Sequence, residues 1–227
     1  MAIARDSAQW QAQGVGATGK TGTAHTCSGS DRLIIACVLS SAALTTVAIT
    51  YNSASMTSIS SLAITGGSFL YMFGLVAPTS GSAISPIATW DVTAGANAIY
   101  SASYTGTYQT AVPSNSSTNQ SSGNSHPASM SLGIDANANS WELSFMRNEN
   151  NDFDTITAGG YVVQSNNADA TAISDSNGTV TASATYSFDA SWTGDAATKW
   201  GGINIQIRPA VASATVLPYR ALMGVGI

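Results

Sequence analysis

Residues 14–21 read GVGATGKT, which matches the phosphate-binding pattern G-x-x-x-x-G-K-[ST] at every position. In proteins that bind ATP or GTP, such a loop follows a buried strand and opens a helix, whose first N–H groups point at the phosphates. Here the preceding segment, ARDSAQWQAQ, contains no run of aliphatic residues, and the following segment, TGTAHTCSGSDR, is rich in poor helix formers. The match is therefore predicted to be fortuitous, and an extended or flexible Gly/Thr segment is expected instead.

The two histidines are the next candidates for chemistry. His25 lies in a Thr-rich predicted strand, and His126 lies beside a Ser/Asn-rich loop. Hydrolytic catalysis needs a nucleophile, a base and a group that orients the base, and no G-x-S-x-G motif accompanies either histidine. The favoured interpretation is a hydrogen-bonding strand residue for His25 and a loop residue for His126. The sequence therefore predicts a protein that is not an enzyme and has no cofactor.

The one dense acidic run is RNENNDFDT, which contains Glu149, Asp152 and Asp154. Carboxylates and Asn carbonyl groups this close together could hold Ca²⁺, which takes oxygen ligands. The run lacks the glycine and the spacing of a recognised calcium loop. A solvated turn between strands is therefore the favoured interpretation, and calcium binding stays open as the alternative.

Trp192 and Trp200 stand in SWTGDAATKWGG, among Gly and Asp residues. Exposed aromatic rings in such a setting can form a platform on which sugars stack. Aromatic residues in β-sandwiches more often pack in the core or at an edge. The two tryptophans are therefore candidate sugar-stacking residues, with packing as the favoured alternative.

The composition predicts an all-β fold. Charged residues make up 8% of the 227 residues, far below the ~25% of an ordinary soluble domain. The chain contains two Lys and two Glu in total. Long amphipathic helices need charged or long polar residues on their outer face, so helices are expected only as short pieces.

Charge and hydropathy argue against several partners. The formal net charge is −5 and the seven basic residues are scattered, whereas nucleic-acid binding needs clustered Lys and Arg. No apolar run approaches the ~20 residues of a membrane span. Neither nucleic acid nor a membrane is therefore an expected partner. The N-terminus, MAIARDSAQW, lacks the apolar stretch of a secretory signal, so we expect synthesis in a cytoplasm and export only through assembly or lysis.

Cys27 and Cys37 flank a segment that is typical of a hairpin connection. If residues 23–27 pair with residues 33–37, the cysteines are separated by roughly 13 Å at ~3.3 Å per residue. A disulfide needs Cα atoms within ~7 Å of each other. Two free, buried thiols are therefore predicted, as suits a reducing cytoplasm.

Apolar and polar residues alternate along much of the chain, which is typical of antiparallel strands with one buried face. The runs LIIACVL and FLYMFGLVA are apolar on both faces, which predicts central strands. Strands are predicted at residues 33–39, 44–51, 69–77, 83–90, 98–105, 130–134, 141–145, 160–165, 180–188 and 203–207. About ten strands separated by turn signals indicate a β-sandwich or barrel.

Three segments lie outside this pattern. Residues 1–22 form a polar, Gly-rich N-terminal arm, and residues 114–125 form a low-complexity loop that is expected to be exposed to solvent. Residues 210–227 form an apolar tail that is too short to build its own core, so it is predicted to be buried against this subunit or a neighbour. Its large apolar residues, which are candidate assembly contacts, are Val216, Leu217, Tyr219, Leu222, Met223, Val225 and Ile227.

The order of several segments is familiar. GTAHTCSGSDRLIIACVLS is followed by VAITYNSASMTSIS, LYMFGLVAPTSGSAISPIATW and AIYSASYTGTYQT, and later by SWELSF and GGINIQIRP. This order resembles a jelly-roll-like β-sandwich module that recurs in phage virion proteins and bacterial surface proteins. The resemblance covers residues 23–209. It implies an antiparallel, jelly-roll-like β-sandwich, from which residues 1–22 and 210–227 extend as arms.

The resemblance, the low charge and the two arms together predict a non-enzymatic structural protein of a phage virion. An exterior component such as a capsid decoration or head-fibre subunit is expected, on the virion exterior after synthesis in the host cytoplasm. Its expected partners are capsid proteins or neighbouring copies of itself in a homo-oligomer. The alternative is a carbohydrate-binding or receptor-binding (adhesin) module of a phage tail or bacterial surface protein, with surface glycans as partners. A third hypothesis is a secreted hydrolase.

Overall fold

The computed structural model describes residues 2–14, 17–121, 128–133, 139–149, 155–156, 162–167, 171–180, 185–191 and 199–211. These residues form seventeen β-strands. Nowhere in these ranges is there a helix that could cross a membrane. In chain order the strands are β1 (Ala4–Gly14), β2 (Ala17–Thr21), β3 (Leu33–Ser40), β4 (Val47–Tyr51), β5 (Ala54–Ser55), β6 (Thr57–Ala63), β7 (Phe69–Val76), β8 (Ile87–Ala94), β9 (Asn97–Thr105), β10 (Ser116–Ser121), β11 (Ala128–Gly133), β12 (Trp141–Asn148), β13 (Thr155–Ile156), β14 (Val162–Asn167), β15 (Thr171–Asp175), β16 (Thr185–Ser191) and β17 (Trp200–Ile207).

The strands form four sheets, in which every pair of neighbouring strands is antiparallel. The central sheet has the strand order β1-β9-β3-β7-β6, the β8 sheet has β2-β8-β4-β5, the β12 sheet has β10-β17-β12-β15-β14, and the β16 sheet has β11-β16-β13. The predicted all-β, antiparallel fold class is confirmed, and the packed sheets are consistent with a β-sandwich.

The central sheet is buried on both faces. All eight residues of β3 are buried, and successive residues of a strand point to opposite faces. One face forms a core with the β12 sheet, in which Ile35, Tyr100 and Phe145 pack together. The other face forms a second core with the β8 sheet, which includes Ile34 and Trp90. Three layers are therefore stacked with the central sheet in the middle, which explains why LIIACVL is apolar on both faces.

The central strands lie close to their predicted positions, whereas the total number of strands is larger than predicted. β3, β7 and β9 each end within one residue of the predicted bounds. The structure has seventeen strands rather than about ten. The additional strands are short, as in β5, or polar and at the edge of a sheet, as in β1, β2 and β10, so they contain no run of aliphatic residues.

The N-terminal segment is part of the sheets over most of its length. β1 pairs with β9 at one edge of the central sheet, and β2 pairs with β8 at one edge of the β8 sheet. The prediction of an extended arm is therefore wrong for residues 4–14 and 17–21. Polar edge strands such as these are held by backbone hydrogen bonds to an apolar partner strand, which a sequence pattern within the segment does not reveal.

The phosphate-binding pattern has strand geometry in the residues that the structure describes. Gly14 ends β1, and Lys20 lies in β2 opposite Ala88. A Cβ atom on Gly19 would lie 2.7 Å from the carbonyl oxygen of Ala88, so glycine permits a close approach of two strands here. Because residues 17–21 form a strand and not the first turn of a helix, their N–H groups do not converge on a phosphate site.

Replacing Lys20 by Ala is expected to change the free energy of unfolding by no more than about 0.5 kcal/mol, as is usual for surface substitutions. The physical reason is that Lys20 contributes its backbone to the ladder with β8, and this contribution survives the substitution. Urea denaturation measures the stability, and calorimetric titration with ATP and GTP measures nucleotide binding. A micromolar affinity that Lys20→Ala abolishes would contradict the strand assignment of this segment.

The cysteines are free and buried, as predicted. The hairpin used to predict their separation is wrong, because β3 pairs with β7 and β9 and not with residues 23–27. Cys37 points into the first core, whereas Cys27 belongs to the second. The two thiols therefore lie on opposite faces of the central sheet.

The low-complexity segment contains a strand. Residues 116–121 form β10, which pairs with β17 at the edge of the β12 sheet. The prediction of a loop is therefore wrong for these residues, although Thr118, Asn119 and Gln120 are exposed as expected. Polar side chains are tolerated at this edge because the ladder with β17 depends on backbone groups. Residues 122–125 lie outside the described ranges.

The start of the C-terminal tail is held by the body of the protein. The backbone N–H of Ala210 donates a hydrogen bond to the carbonyl oxygen of Gly106, at 2.8 Å. Val211, the next residue, is 75% exposed. The seven apolar residues proposed as assembly contacts, between 216 and 227, lie outside the described ranges. Val211 is the last described residue, and its side chain does not pack against the sandwich.

Candidate functional site

A polar network extends from the buried side chain of His25 to Ser28, which is exposed at the surface. We call it the His25 network, and its members are Asp6, His25, Ser28, Ser101 and Ser103. The register of β1 and β9 shifts between Arg5 and Ser7, so that Asp6 is an additional residue in β1. Such a bulge re-aims a side chain, and here Asp6 contacts the segment that precedes β3. The serines of β9 belong to the central sheet.

Short hydrogen bonds connect the network. The Nδ1 atom of His25 lies 3.1 Å from Ser101 Oγ, and Nε2 lies 2.7 Å from Ser103 Oγ. Ser103 Oγ donates to Asp6 Oδ2 at 2.9 Å. The backbone N–H of Ser28 donates to the same carboxylate oxygen at 2.8 Å, and the Ser28 hydroxyl donates to Oδ1. Asp6 therefore joins β1 to β9 and to the segment before β3.

The partners determine the proton positions in this network. An ionised carboxylate only accepts hydrogen bonds, so the single hydroxyl proton of Ser103 points at Asp6. Ser103 Oγ must then accept from Nε2–H of His25. In a neutral imidazole the other nitrogen is an acceptor, so Nδ1 accepts from the hydroxyl of Ser101. All hydrogen bonds in the chain from Ser101 to Asp6 thus run in one direction.

The ionisation of the network follows from burial. Burial lowers the pKa of His25 to about 4, although the negative charge of Asp6 acts in the opposite direction. Burial on its own would raise the pKa of Asp6, but the hydrogen bonds from Ser28 and Ser103 outweigh it and hold this pKa below its ordinary value. At neutral pH the network therefore contains a neutral imidazole and an ionised carboxylate.

The order carboxylate, hydroxyl, imidazole, hydroxyl has the polarity that a general base needs. Substrate access is missing, because His25 is completely buried and Ser101 and Ser103 are 2% and 1% exposed. A nucleophile must reach the reacting atom of its substrate. The arrangement therefore serves to join strands, which agrees with the interpretation of His25 as a hydrogen-bonding strand residue. His126 lies outside the described ranges.

A second polar group, the Asp175 cluster, consists of Arg5, Tyr104, Asp175 and Asn177. Arg5 Nη1 donates to both oxygens of Asp175, at 3.0 and 3.3 Å. The hydroxyl of Tyr104 donates to Oδ2 at 3.0 Å, and the backbone N–H of Asn177 donates to Oδ1 at 3.0 Å. The carboxylate of Asp175 is completely buried. The cluster therefore links β1 and β9 of the central sheet to β15 of the β12 sheet.

Burial dominates the ionisation of the Asp175 cluster. It raises the pKa of Asp175 above its ordinary value, despite the charge of Arg5 and the donated hydrogen bonds, which lower it. Burial also raises the pKa of Tyr104 far above its ordinary value. Tyr104 thus keeps its proton and donates it to Asp175. No spacing in the sequence indicated this cluster, because Arg5 and Asp175 are 170 positions apart.

The β12 sheet carries polar side chains on the face away from the first core, and these are buried as well. Glu142, Ser144 and Asn204 are completely buried. Asn204 Nδ2 donates to Glu142 Oε2 at 3.2 Å, and Gln206 Nε2 donates to Ser140 Oγ at 2.8 Å. The alternation in SWELSF and GINIQIRP correctly predicts two strands. The prediction that one face of each strand is exposed to water is wrong, because both faces are buried. A buried polar face and an exposed one have the same sequence pattern.

Glu149, the acidic residue of the run RNENNDFDT that the structure describes, forms hydrogen bonds within the protein. Glu149 accepts hydrogen bonds from the backbone N–H and the hydroxyl of Ser68, at 3.2 and 2.9 Å. It thereby connects the end of β12 to the turn before β7. Asp152 and Asp154 lie outside the described ranges. Within those ranges, no group of three His, Cys, Asp or Glu side chains could hold a metal ion.

Trp200, one of the two candidate sugar-stacking residues, is buried. Trp200 begins β17 and is 3% exposed, so the face of its ring is not available to a sugar. Trp192 lies outside the described ranges. Of the two interpretations of Trp200, packing is therefore correct. Comparison with known protein families and with curated proteins found no match to this chain.

Proposed function

We propose that this protein is a non-enzymatic structural subunit of a phage virion, on the exterior of the particle, such as a capsid decoration or head-fibre subunit. The observation that carries the proposal is the burial of His25, Ser101 and Ser103, where the residue types of a hydrolase are present but serve as internal links between strands. This use of the only described imidazole supports a structural role over a catalytic one.

The jelly-roll-like topology is part of the same proposal. It is supported by the order of motifs over residues 23–209 and by the layered antiparallel sheets. Folds of this type serve in viral capsids and lectins, and a fold alone does not decide between such roles. The low content of charged residues, 8%, is compatible with surfaces that pack against other subunits.

The C-terminal tail is the proposed assembly element. Its seven large apolar residues follow Val211 in the sequence, and the side chain of Val211 is 75% exposed. A contiguous apolar patch of several hundred Å² is uncommon on the surface of a monomer. Docking of the tail into a neighbouring copy or into the shell beneath it would remove this patch from water. The expected partners are therefore capsid proteins and other copies of this chain.

The carbohydrate-binding alternative loses support from Trp200, since that ring is buried. Of the two candidate sugar-stacking tryptophans, only Trp192 can still support the carbohydrate-binding alternative. A glycan array screened with the wild-type protein and with Trp192→Ala tests it. Binding that disappears in the variant would favour a receptor-binding module over a structural subunit.

Truncation after Val211 tests the structural role. The truncated protein retains the hydrogen bond from Ala210 to Gly106, so we expect an unchanged melting temperature together with loss of oligomers and of attachment to particles. Light scattering measures the oligomers, and co-sedimentation with particles measures attachment. The matched control is Ser213→Ala with Thr215→Ala, which leaves the apolar residues in place. Equal association of the truncated and intact proteins, or unfolding of the truncated one, would contradict the assembly role.

A further inference from the structure

The N-terminal strand β1 is attached differently from the other strands of the central sheet. It lies at the edge of that sheet and pairs only with β9 there. Its sequence, ARDSAQWQAQG, is mostly polar. Two of its side chains bind other strands through carboxylates. Asp6 of β1 accepts a hydrogen bond from Ser103 of β9, and Arg5 of β1 donates to Asp175 of β15. Both interactions require an ionised carboxylate, so protonation of either carboxylate weakens the attachment of β1 to the sheet.

The groups that face the two carboxylates come from several elements. Asp6 faces His25 and Cys27 of the segment before β3 and Tyr51 of β4, in addition to its serine partners. Burial raises the pKa of both the Cys27 thiol and the Tyr51 phenol, so these two groups stay protonated at and below neutral pH. Asp175 faces Arg5 of β1 and Tyr104 of β9. Cys37 lies near Tyr104 and stays protonated for the same reason.

Opening of β1 alone changes both carboxylates in the same direction. Asp175 would lose the charge of Arg5 while it stays buried in the β12 sheet, so its pKa would rise further. Asp6 would lose the hydrogen bonds from Ser28 and Ser103 that hold its pKa low. Both groups thus bind protons more strongly in the opened state. By linkage, a lower pH favours opening.

Complete unfolding responds differently at Asp175. The pKa of this group is raised in the folded protein, and exposure to water would return it to its lower, ordinary value. Acid therefore opposes complete unfolding at Asp175, although it promotes the local opening. At Asp175, acid therefore favours the local opening of β1 over complete unfolding.

We propose that acid releases β1 from the edge of the central sheet while the rest of that sheet stays folded. β9 keeps β3 as its other neighbour, so the central sheet loses one edge strand and retains four strands. Release also exposes the backbone donors and acceptors of β9, which can then pair with another strand. The fold thus contains a device by which pH controls an open sheet edge.

Hydrogen exchange followed by mass spectrometry tests the proposal at pH 7 and pH 4, after correction for the intrinsic exchange rates. The protection factor of residues 4–14 is expected to fall severalfold from pH 7 to pH 4, because both carboxylates bind protons more strongly once β1 is open. The protection factor of residues 33–40 in β3 is expected to follow the global free energy of unfolding, which urea denaturation measures at the same two pH values. A protection factor of residues 4–14 at pH 4 as high as that of residues 33–40, or no fall in residues 4–14, would overturn the proposal.

Two variants reproduce the protonated state without acid. Asp6→Asn and Asp175→Asn, made separately, are expected to lower the protection factor of residues 4–14 at pH 7 and to leave that of residues 33–40 unchanged. Asp91→Asn is the matched control, because Asp91 is an exposed carboxylate of β8 that accepts from the backbone N–H of Thr45 at 3.1 Å. Full protection of β1 in both variants would overturn the proposal, even if the wild-type protein opened at pH 4.

Discussion

Ile34→Ala and Ile35→Ala are each expected to lower the free energy of unfolding by about 2–5 kcal/mol, the usual cost of truncating a buried Ile to Ala. The two residues are adjacent in β3 and point to opposite faces of the central sheet. Both are completely buried, Ile34 in the core with the β8 sheet and Ile35 in the core with the β12 sheet. Each substitution therefore leaves a cavity, although in a different core. Urea denaturation at neutral pH measures both changes.

The matched control is Ile87→Ala in β8. Ile87 is 47% exposed, so removal of its side chain is expected to cost less than about 1 kcal/mol. In a two-layer sandwich, one of two adjacent strand residues faces water. A cost for Ile34→Ala or Ile35→Ala as small as that for Ile87→Ala would therefore show that β3 has a solvent-facing side, and the three-layer arrangement would be wrong.

Strands that carry their own apolar signal could be predicted from the sequence. LIIACVL is buried on both faces, FLYMFGLVA has one buried and one partly buried face, and β3 and β7 lie almost at their predicted positions. ARDSAQWQAQG and SNSSTNQS gave no such signal. β1 and β10 are edge strands, and the residues that stabilise them belong to β9 and β17. Their existence depends on partners that are distant in the sequence.

The polar clusters were beyond sequence reasoning for a related reason. His25 was recognised as a hydrogen-bonding residue, but its connection to Asp6 depends on a bulge in β1 that no local pattern indicates. Likewise, Glu142 and Asn204 alternate with apolar residues in the manner of a solvent-facing row, yet both are buried. Whether a polar face is covered depends on the stacking of sheets, and periodicity within one strand carries no information about it.

His25 is expected to make the stability of the protein depend on pH between about 6.5 and 4. Its pKa is 6.5 when unperturbed and about 4 in the folded protein, so the unfolded state binds more protons in this window. A group whose pKa is lowered by folding contributes stability above its unfolded pKa and loses it as pH falls toward its folded pKa. The loss attributable to His25 is about 3 kcal/mol, at about 1.4 kcal/mol for each unit of pKa shift.

Urea denaturation of the wild-type protein and of His25→Gln at pH 7, 6, 5 and 4 measures this contribution. Gln keeps a donor and an acceptor at the site and cannot be protonated, so the variant is expected to be less stable at pH 7 and to lose less stability on acidification. The difference between the two proteins should shrink by about 3 kcal/mol from pH 7 to pH 4. Asp175, which does not contact His25, contributes with its opposite sign to both proteins and cancels in the difference.

His126→Gln provides the control, since it removes the other of the two histidines. The chemical shifts of the His25 ring in titrated protein give a second measurement, which should show Nε2 protonated at neutral pH and a transition near pH 4. A transition of His25 near pH 6.5, or a constant stability difference between wild type and His25→Gln across the pH range, would mean that water reaches the imidazole. The imidazole would then be open to solvent, and a substrate could reach it.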